Sequence, residues 1–358
     1  MGYVETTLEI REMLVALARR YAFRELAYLL GGGATGMALS QRELARIQQL
    51  CAYGKRLIEL DTEDLDEANA AIGATTDTTF AKLVGTELVP EQIVARGELS
   101  RVRQEPREGF NDALTSLHPM YRLLLEVIQV RWDRNDTLWL LTAAHIAAEY
   151  APMLAWQRFL GHAGDPFQLS NDPAFTGAGS RWGHIDDRDC PHTKPAKAAA
   201  GRALRVIREP RSGWRSYLDR QHSAVSQALG TCAADCPFPC TVMTQFTHDE
   251  RAQLSEACRV ALAFRGSALV RLRHRAPVGH GFGVPSQDEV ADAWQRSRQS
   301  IAKRDGIATA AMAEDGFVMP GMPSLFSAIA GAPLRPDNLI RLTVDQVIDA
   351  LDPDRVAH

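Results

Sequence analysis

Apolar residues recur at helical spacing through most of this chain, and alternation of the kind that marks a strand is confined to two short stretches. Residues 5 to 30 carry Leu8, Ile10, Met13, Leu14, Leu17, Ala18, Tyr21, Leu26, Leu29 and Leu30, which predicts one amphipathic helix. Gly31 to Gly33 would stop it, because glycine takes the left-handed conformation common beyond helix ends. Ser40 with Glu43 forms a capping box for a second helix, whose inward face would hold Leu44, Ile47, Leu50, Leu57 and Ile58. Pro90 suits the first turn of a shorter helix. Two long helices are expected at about 110–131 and 137–160. The short polar link Asp133-Arg134-Asn135-Asp136 between them implies an antiparallel pair.

Beyond residue 160 the pattern breaks. Residues 161 to 195 are dominated by Gly, Asp, Pro, Ser and Asn with no period, as in a functional loop or a domain boundary. Helices are expected again at about 195–208 and 213–229. Residues 241–246 read as a strand, and 268–274 as a second strand or equally as a continuation of the helix that Thr247 and Glu250 cap. Ser286 with Glu289 opens another helix, and Thr343 with Gln346 a last one ending near Leu351. The fold class read from this pattern is mainly α: an N-terminal helical, bundle-like domain over residues 1–162, an irregular linker over 163–194, and a smaller Cys/His-rich domain over 195–358 that is α+β or all-α.

Composition narrows the functional classes. The chain has 358 residues, comfortable for two domains, and a net charge of −4 with interspersed signs. Its basic stretches, Arg202 to Arg205 and Arg271 to Arg275, are short and read as solvated faces, so no nucleic-acid partner is expected. No membrane partner is expected either, since no apolar run approaches the roughly 18 residues of a spanning helix. Glu5, Glu9 and Glu12 interrupt what would be the apolar core of a signal peptide. A cytoplasmic location is the default expectation, and there cysteines stay reduced and serve as metal ligands or buried apolar groups.

The chemistry is concentrated. Five of the six cysteines and six of the ten histidines fall between residues 184 and 280. Cys232, Cys236 and Cys240 form a C-x3-C-x3-C run that Pro237 and Pro239 keep from being a regular helix. On such a stiffened loop three thiolates, with His192 or Cys190 as a fourth ligand, would close a tetrahedral zinc site. With an open position they would suit an iron–sulfur cluster, and haem is the less favoured alternative, as no C-x-x-C-H attachment motif is present. Neither the usual zinc pairs nor the familiar cluster spacings match this run, so buried thiols are the plain alternative.

His274 and His280 flank a Pro–Gly turn and are the candidate catalytic residues, as ligand, base or proton carrier. His145 and Glu149 share a helix face but read as an ordinary helical pair, because the further Glu-x-x-His pairs of a diiron bundle are missing. Gly31 to Gly36 follows a helix where a dinucleotide fold needs a strand, which argues against a phosphate loop.

The N-terminal half is similar in size and texture to the maturation chaperones of molybdoenzymes, and the Arg275-Ala276-Pro277 segment resembles the axial-histidine helix of haem-dependent aromatic oxygenases of the tryptophan-dioxygenase type. No motif supports the first and only a short segment the second, so no functional residue is carried over. The reading is therefore a cytoplasmic metal-dependent enzyme, an oxidoreductase acting on a small molecule. Its competitor is a non-enzymatic helical chaperone or interaction protein with a structural zinc loop. A third possibility is an apolar pocket between the long helices with no metal at all.

Overall fold

The computed structural model describes residues 2–32, 39–61, 116–161, 243–277 and 281–351. Ten α-helices lie among the described residues: α1 (Gly2–Arg19), α2 (Phe23–Gly31), α3 (Gln41–Glu59), α4 (His118–Asp133), α5 (Thr137–Leu160), α6 (His248–Arg265), α7 (Ala268–Leu272), α8 (Gln287–Ala302), α9 (Met322–Ala330) and α10 (Leu339–Leu351). Short 3-10 turns at Met243–Gln245, Arg273–Arg275 and Gly306–Met312 join them, and no strand occurs among the described residues. The protein is mainly helical. None of these helices is long and apolar enough to cross a membrane. The chain divides into two compact units, Met1–Glu98 with Pro336–His358, and Leu99–Arg335.

In the first unit the single helix expected over 5–30 is two. Tyr21 adopts a left-handed φ of 56° and breaks the chain between α1 and α2. The reason lies in the phase of the apolar stripe. Leu14 and Ala18 are buried on α1, and a continuous helix would have carried Glu25 onto the same face. The break resets the register, so that Phe23, Leu26 and Leu30 face inward and Glu25 stays in solvent. The helix ends in the glycine run as expected, although Gly32 at the cap is right-handed, with φ −75°.

The Ser40–Glu43 capping box forms, with the Glu43 amide donating to Ser40 Oγ at 3.2 Å and the Ser40 amide to Glu43 Oε2 at 2.7 Å. Gly54 on α3 leaves room for the Phe23 ring, which any Cβ there would strike. α10 begins four residues before the expected Thr343 cap, because Leu339 and Ile340 already belong to its buried stripe. Thr343 is therefore inside the helix, donating to the Leu339 carbonyl at 2.9 Å instead of capping. Gln346 accepts from Arg46 of α3 at 2.8 Å.

The second unit is built on α5. Its buried residues run around the helix, from Leu140 and Leu141 through Ala144, Ala147 and Ala151 to Trp156, so it is enclosed by neighbours on most sides. α4 starts at His118, later than the pattern implied, with Pro119 in its first turn, where a missing amide costs nothing. The expected antiparallel hairpin holds: the Leu117 amide donates to Gln157 at 2.7 Å at one end, and Arg131 pairs with Asp136 at 2.7 Å at the other.

Capping boxes at Thr247–Glu250 and Ser286–Glu289 open α6 and α8 as expected. The stretches expected as strands are helical where described: residues 243–245 form a 3-10 turn, and 268–272 form α7. Gly266 and Ser267 separate α7 from α6, Ser267 Oγ accepting the Val270 amide, so α7 is a new helix and not an extension of α6. Tyr121, Phe326, Phe264 and Trp294 form a chain of edge-to-face rings through the core, with centroids 5.0, 5.1 and 6.3 Å apart.

Candidate functional site

Of the residues that sequence nominated, Cys190, His192, Cys232, Cys236, Cys240 and His280 lie outside the described residues. So do the expected helices at 195–208 and 213–229 and the one opened by Pro90. His274 is described. It stands exposed in the 3-10 turn that follows α7, and its ring meets that of His145 edge-on, with centroids 6.3 Å apart and planes at 80°. His145 Nε2 lies 3.2 Å from Glu149 Oε1, one turn further along α5. The structure thus adds to His274 a histidine–carboxylate pair that sequence had set aside.

The local sequence explains why these groups meet. α5 is fixed at its start by Asp136, whose Oδ1 accepts the Trp139 amide at 3.4 Å while Oδ2 holds Arg131. The Arg131 guanidinium also covers the Trp139 ring at 5.6 Å. α7 is held against α8 by Ser297, whose Oγ accepts the Leu269 amide at 2.9 Å and donates to the Ala293 carbonyl at 2.6 Å. Leu269 and Val270 are buried, and α7 with the following turn packs on α5. The stretch leading to α8 is docked as well: Thr137 donates to the Pro285 carbonyl, and Gln287 to the Trp132 carbonyl at 2.6 Å. The Gly281 amide returns to the Ala276 carbonyl at 3.1 Å.

Chemically, a carboxylate accepting from Nε2 fixes the neutral imidazole as the tautomer with its lone pair on Nδ1. In His145 that Nδ1 is buried and finds no hydrogen-bond partner among the described residues. The ring is 18% exposed and the Glu149 side chain 36%, so the pair bridges the core and the surface, where His274 stands. An arrangement of this kind can hold or pass a proton. Among the described residues, no three His, Cys, Asp or Glu side chains are grouped to hold a metal ion. Cys258, the one thiol of the Cys/His-rich window that is described, is a core residue of α6 at 1% exposure. Its burial pushes the thiol up to about 12.

The fold and this cluster define a helical protein with a histidine–carboxylate group at one edge of α5. No protein family matches the chain, and no curated protein or solved structure is similar to it.

Proposed function

We propose that the chain is a cytoplasmic metal-dependent enzyme, an oxidoreductase acting on a small molecule. In this reading Cys190, His192 and the cysteines that follow them, all within the Leu99–Arg335 unit, carry the metal centre. Cys232, Cys236 and Cys240 would bind zinc or an iron–sulfur cluster, and haem remains the less favoured group. His274 and His280 would act beside the centre as ligand or proton carrier. The observation that carries this reading is the placement of His274 against the His145–Glu149 pair, which gives a candidate catalytic histidine a neighbour able to exchange protons.

The test is the metal content of the full chain against a variant carrying Cys232→Ser, Cys236→Ser and Cys240→Ser together. Loss of tightly bound zinc or iron in the variant is the expected result, with lowered stability, because ligation free energy is also folding free energy. Equal metal content, or none in either protein, overturns the proposal. The competing reading, a helical chaperone or interaction protein with a structural zinc loop, draws support from Trp139, Phe282 and Val284. These apolar side chains are 49%, 105% and 61% exposed, on α5 and on the segment docked to it. A colourless protein with one zinc closed by four protein ligands would favour that reading.

A further inference from the structure

The exposed side of α6, its junction with α7 and the second half of α8 line an open cavity of about 650 Å³. Four arginines line it: Arg259 from α6, Arg271 from α7, Arg296 from α8 and Arg304 just beyond α8. No acidic residue lines it, so the wall carries four positive charges and no counter-charge. All four side chains are exposed, and none forms a hydrogen bond or ion pair among the described residues. Arg131 and Arg298 of the same unit behave differently, each pairing with a carboxylate at 2.7 Å.

Glu256, one turn before Arg259, accepts the Ile307 amide through Oε1 at 2.9 Å. On α8, Asp288, Glu289 and Asp292 occupy the first half, while Arg296 and Arg304 lie in and beyond the second. Favourable contact with a helix C-terminus accounts for basic residues in a last turn only. That covers Arg271 in the last turn of α7 and Arg304 just beyond α8, and leaves Arg259 and Arg296, both well inside their helices, without that explanation.

We infer that this cavity is a binding site for a small molecule carrying two or more phosphate groups. A guanidinium offers a planar fork of donors that matches phosphate oxygens two at a time, and four of them exceed what one phosphate group can use. The volume falls within the roughly 300–1,000 Å³ of small-molecule pockets, room for more than a single inorganic phosphate. Leu262 and Ala263 supply an apolar strip for an organic portion, and Gly266 leaves the backbone at the α6–α7 junction uncovered. The wall is pre-formed, since Ser297 ties the start of α7 to α8 through its Leu269 and Ala293 bonds. This site is independent of the proposed metal centre.

The test is calorimetric titration of the full-length protein with inorganic tripolyphosphate at low ionic strength, with inorganic phosphate and a short single-stranded RNA run in parallel. Tripolyphosphate is expected to bind with one-to-one stoichiometry, more tightly than phosphate, and more weakly as salt is raised. Arg271→Gln and Arg296→Gln should each raise Kd about tenfold, and together about a hundredfold, as loss of charge-assisted hydrogen bonds implies. Arg24→Gln on α2 should leave it unchanged. The arginines are exposed, so far-UV circular dichroism of the variants should match the parent, and Arg→Lys at the same positions should recover part of the affinity. Absence of tripolyphosphate binding overturns the inference, as does binding unaffected by the double variant. Tighter binding of RNA through the same arginines overturns it as well, replacing a small ligand with a nucleic-acid face.

Discussion

Replacing Asp315 by alanine removes the cap of a helix that has no capping side chain of its own. α9 starts after Gly321, which has no side chain to cap it; the Met322 amide donates to the Met319 carbonyl at 3.1 Å and Pro323 has none, which leaves the Gly321 and Ser324 amides for an acceptor from outside the helix. Asp315 reaches them from six residues upstream. Its Oδ2 accepts the Ser324 amide at 3.3 Å and the Ser324 hydroxyl at 2.8 Å, and Oδ1 accepts the amides of Gly321 at 3.0 Å and Phe317 at 3.3 Å. Loss of an N-cap costs about 1 kcal/mol. The remaining bonds add about another 1 kcal/mol once discounted for the water that reaches this partly exposed carboxylate. Asp315→Ala should therefore lower unfolding free energy by about 2 kcal/mol in urea titrations near neutral pH. Asp315→Asn keeps one acceptor oxygen and should lose about half of that. Burial works to raise this carboxyl, but the hydrogen bonds from Gly321, Ser324 and Phe317 outweigh it and hold it below its ordinary 3.8. Its contribution is thus present above that value and is lost as pH falls through the lower folded value. A change of less than about 0.5 kcal/mol for the alanine variant would refute the capping argument, because that is the range of neutral surface substitutions.

Phe326→Ala empties the centre of the ring chain between Tyr121 and Phe264, and urea denaturation should show a loss of about 3–5 kcal/mol. His118 is held below its ordinary 6.5 by burial and then by the charge of Arg122, so the folded state favours the neutral ring. The unfolded chain binds more protons there, so that contribution is present above pH 6.5 and shrinks as pH falls below it. His118→Gln should flatten this part of the stability–pH curve, and a curve of unchanged slope would remove the argument. Burial pushes the thiols of Cys51 and Cys258 up to about 12. Iodoacetamide at pH 8 should leave both unmodified in the native protein and alkylate them after urea unfolding, read by peptide mass spectrometry. Rapid native labelling of either would contradict their placement in the core.

Features written into a few neighbouring residues were legible in the sequence. The Ser40–Glu43, Thr247–Glu250 and Ser286–Glu289 boxes form as read, because cap and acceptor are three residues apart and need no distant partner. Thr343 and Gln346 fit the same pattern and do something else, since Leu339 and Ile340 extend the buried stripe upstream and Gln346 is taken by Arg46 on α3. The break at Tyr21 was legible in principle, in the phase slip between Ala18 and Phe23 that a list of apolar positions conceals.

The candidate site shows the same division. His145 and Glu149 are visible as a pair one turn apart, but their meeting with His274 depends on α7 packing against α5, which no local pattern encodes. The arginines of the cavity come from three helices and the segment after the last. Read along the chain, Arg271 belongs to a short basic face. Only the packing of α6, α7 and α8 brings it to the same wall as Arg259, Arg296 and Arg304.

The measurement that bears most directly on the proposed function is elemental analysis, with an absorption spectrum, of full-length protein purified without oxygen. The account predicts near-stoichiometric metal. Iron with absorption near ~400 nm would indicate a cluster or haem, and zinc without colour would indicate a zinc centre. Protein that carries no metal under these conditions, and takes up neither zinc nor iron when they are offered, would contradict it.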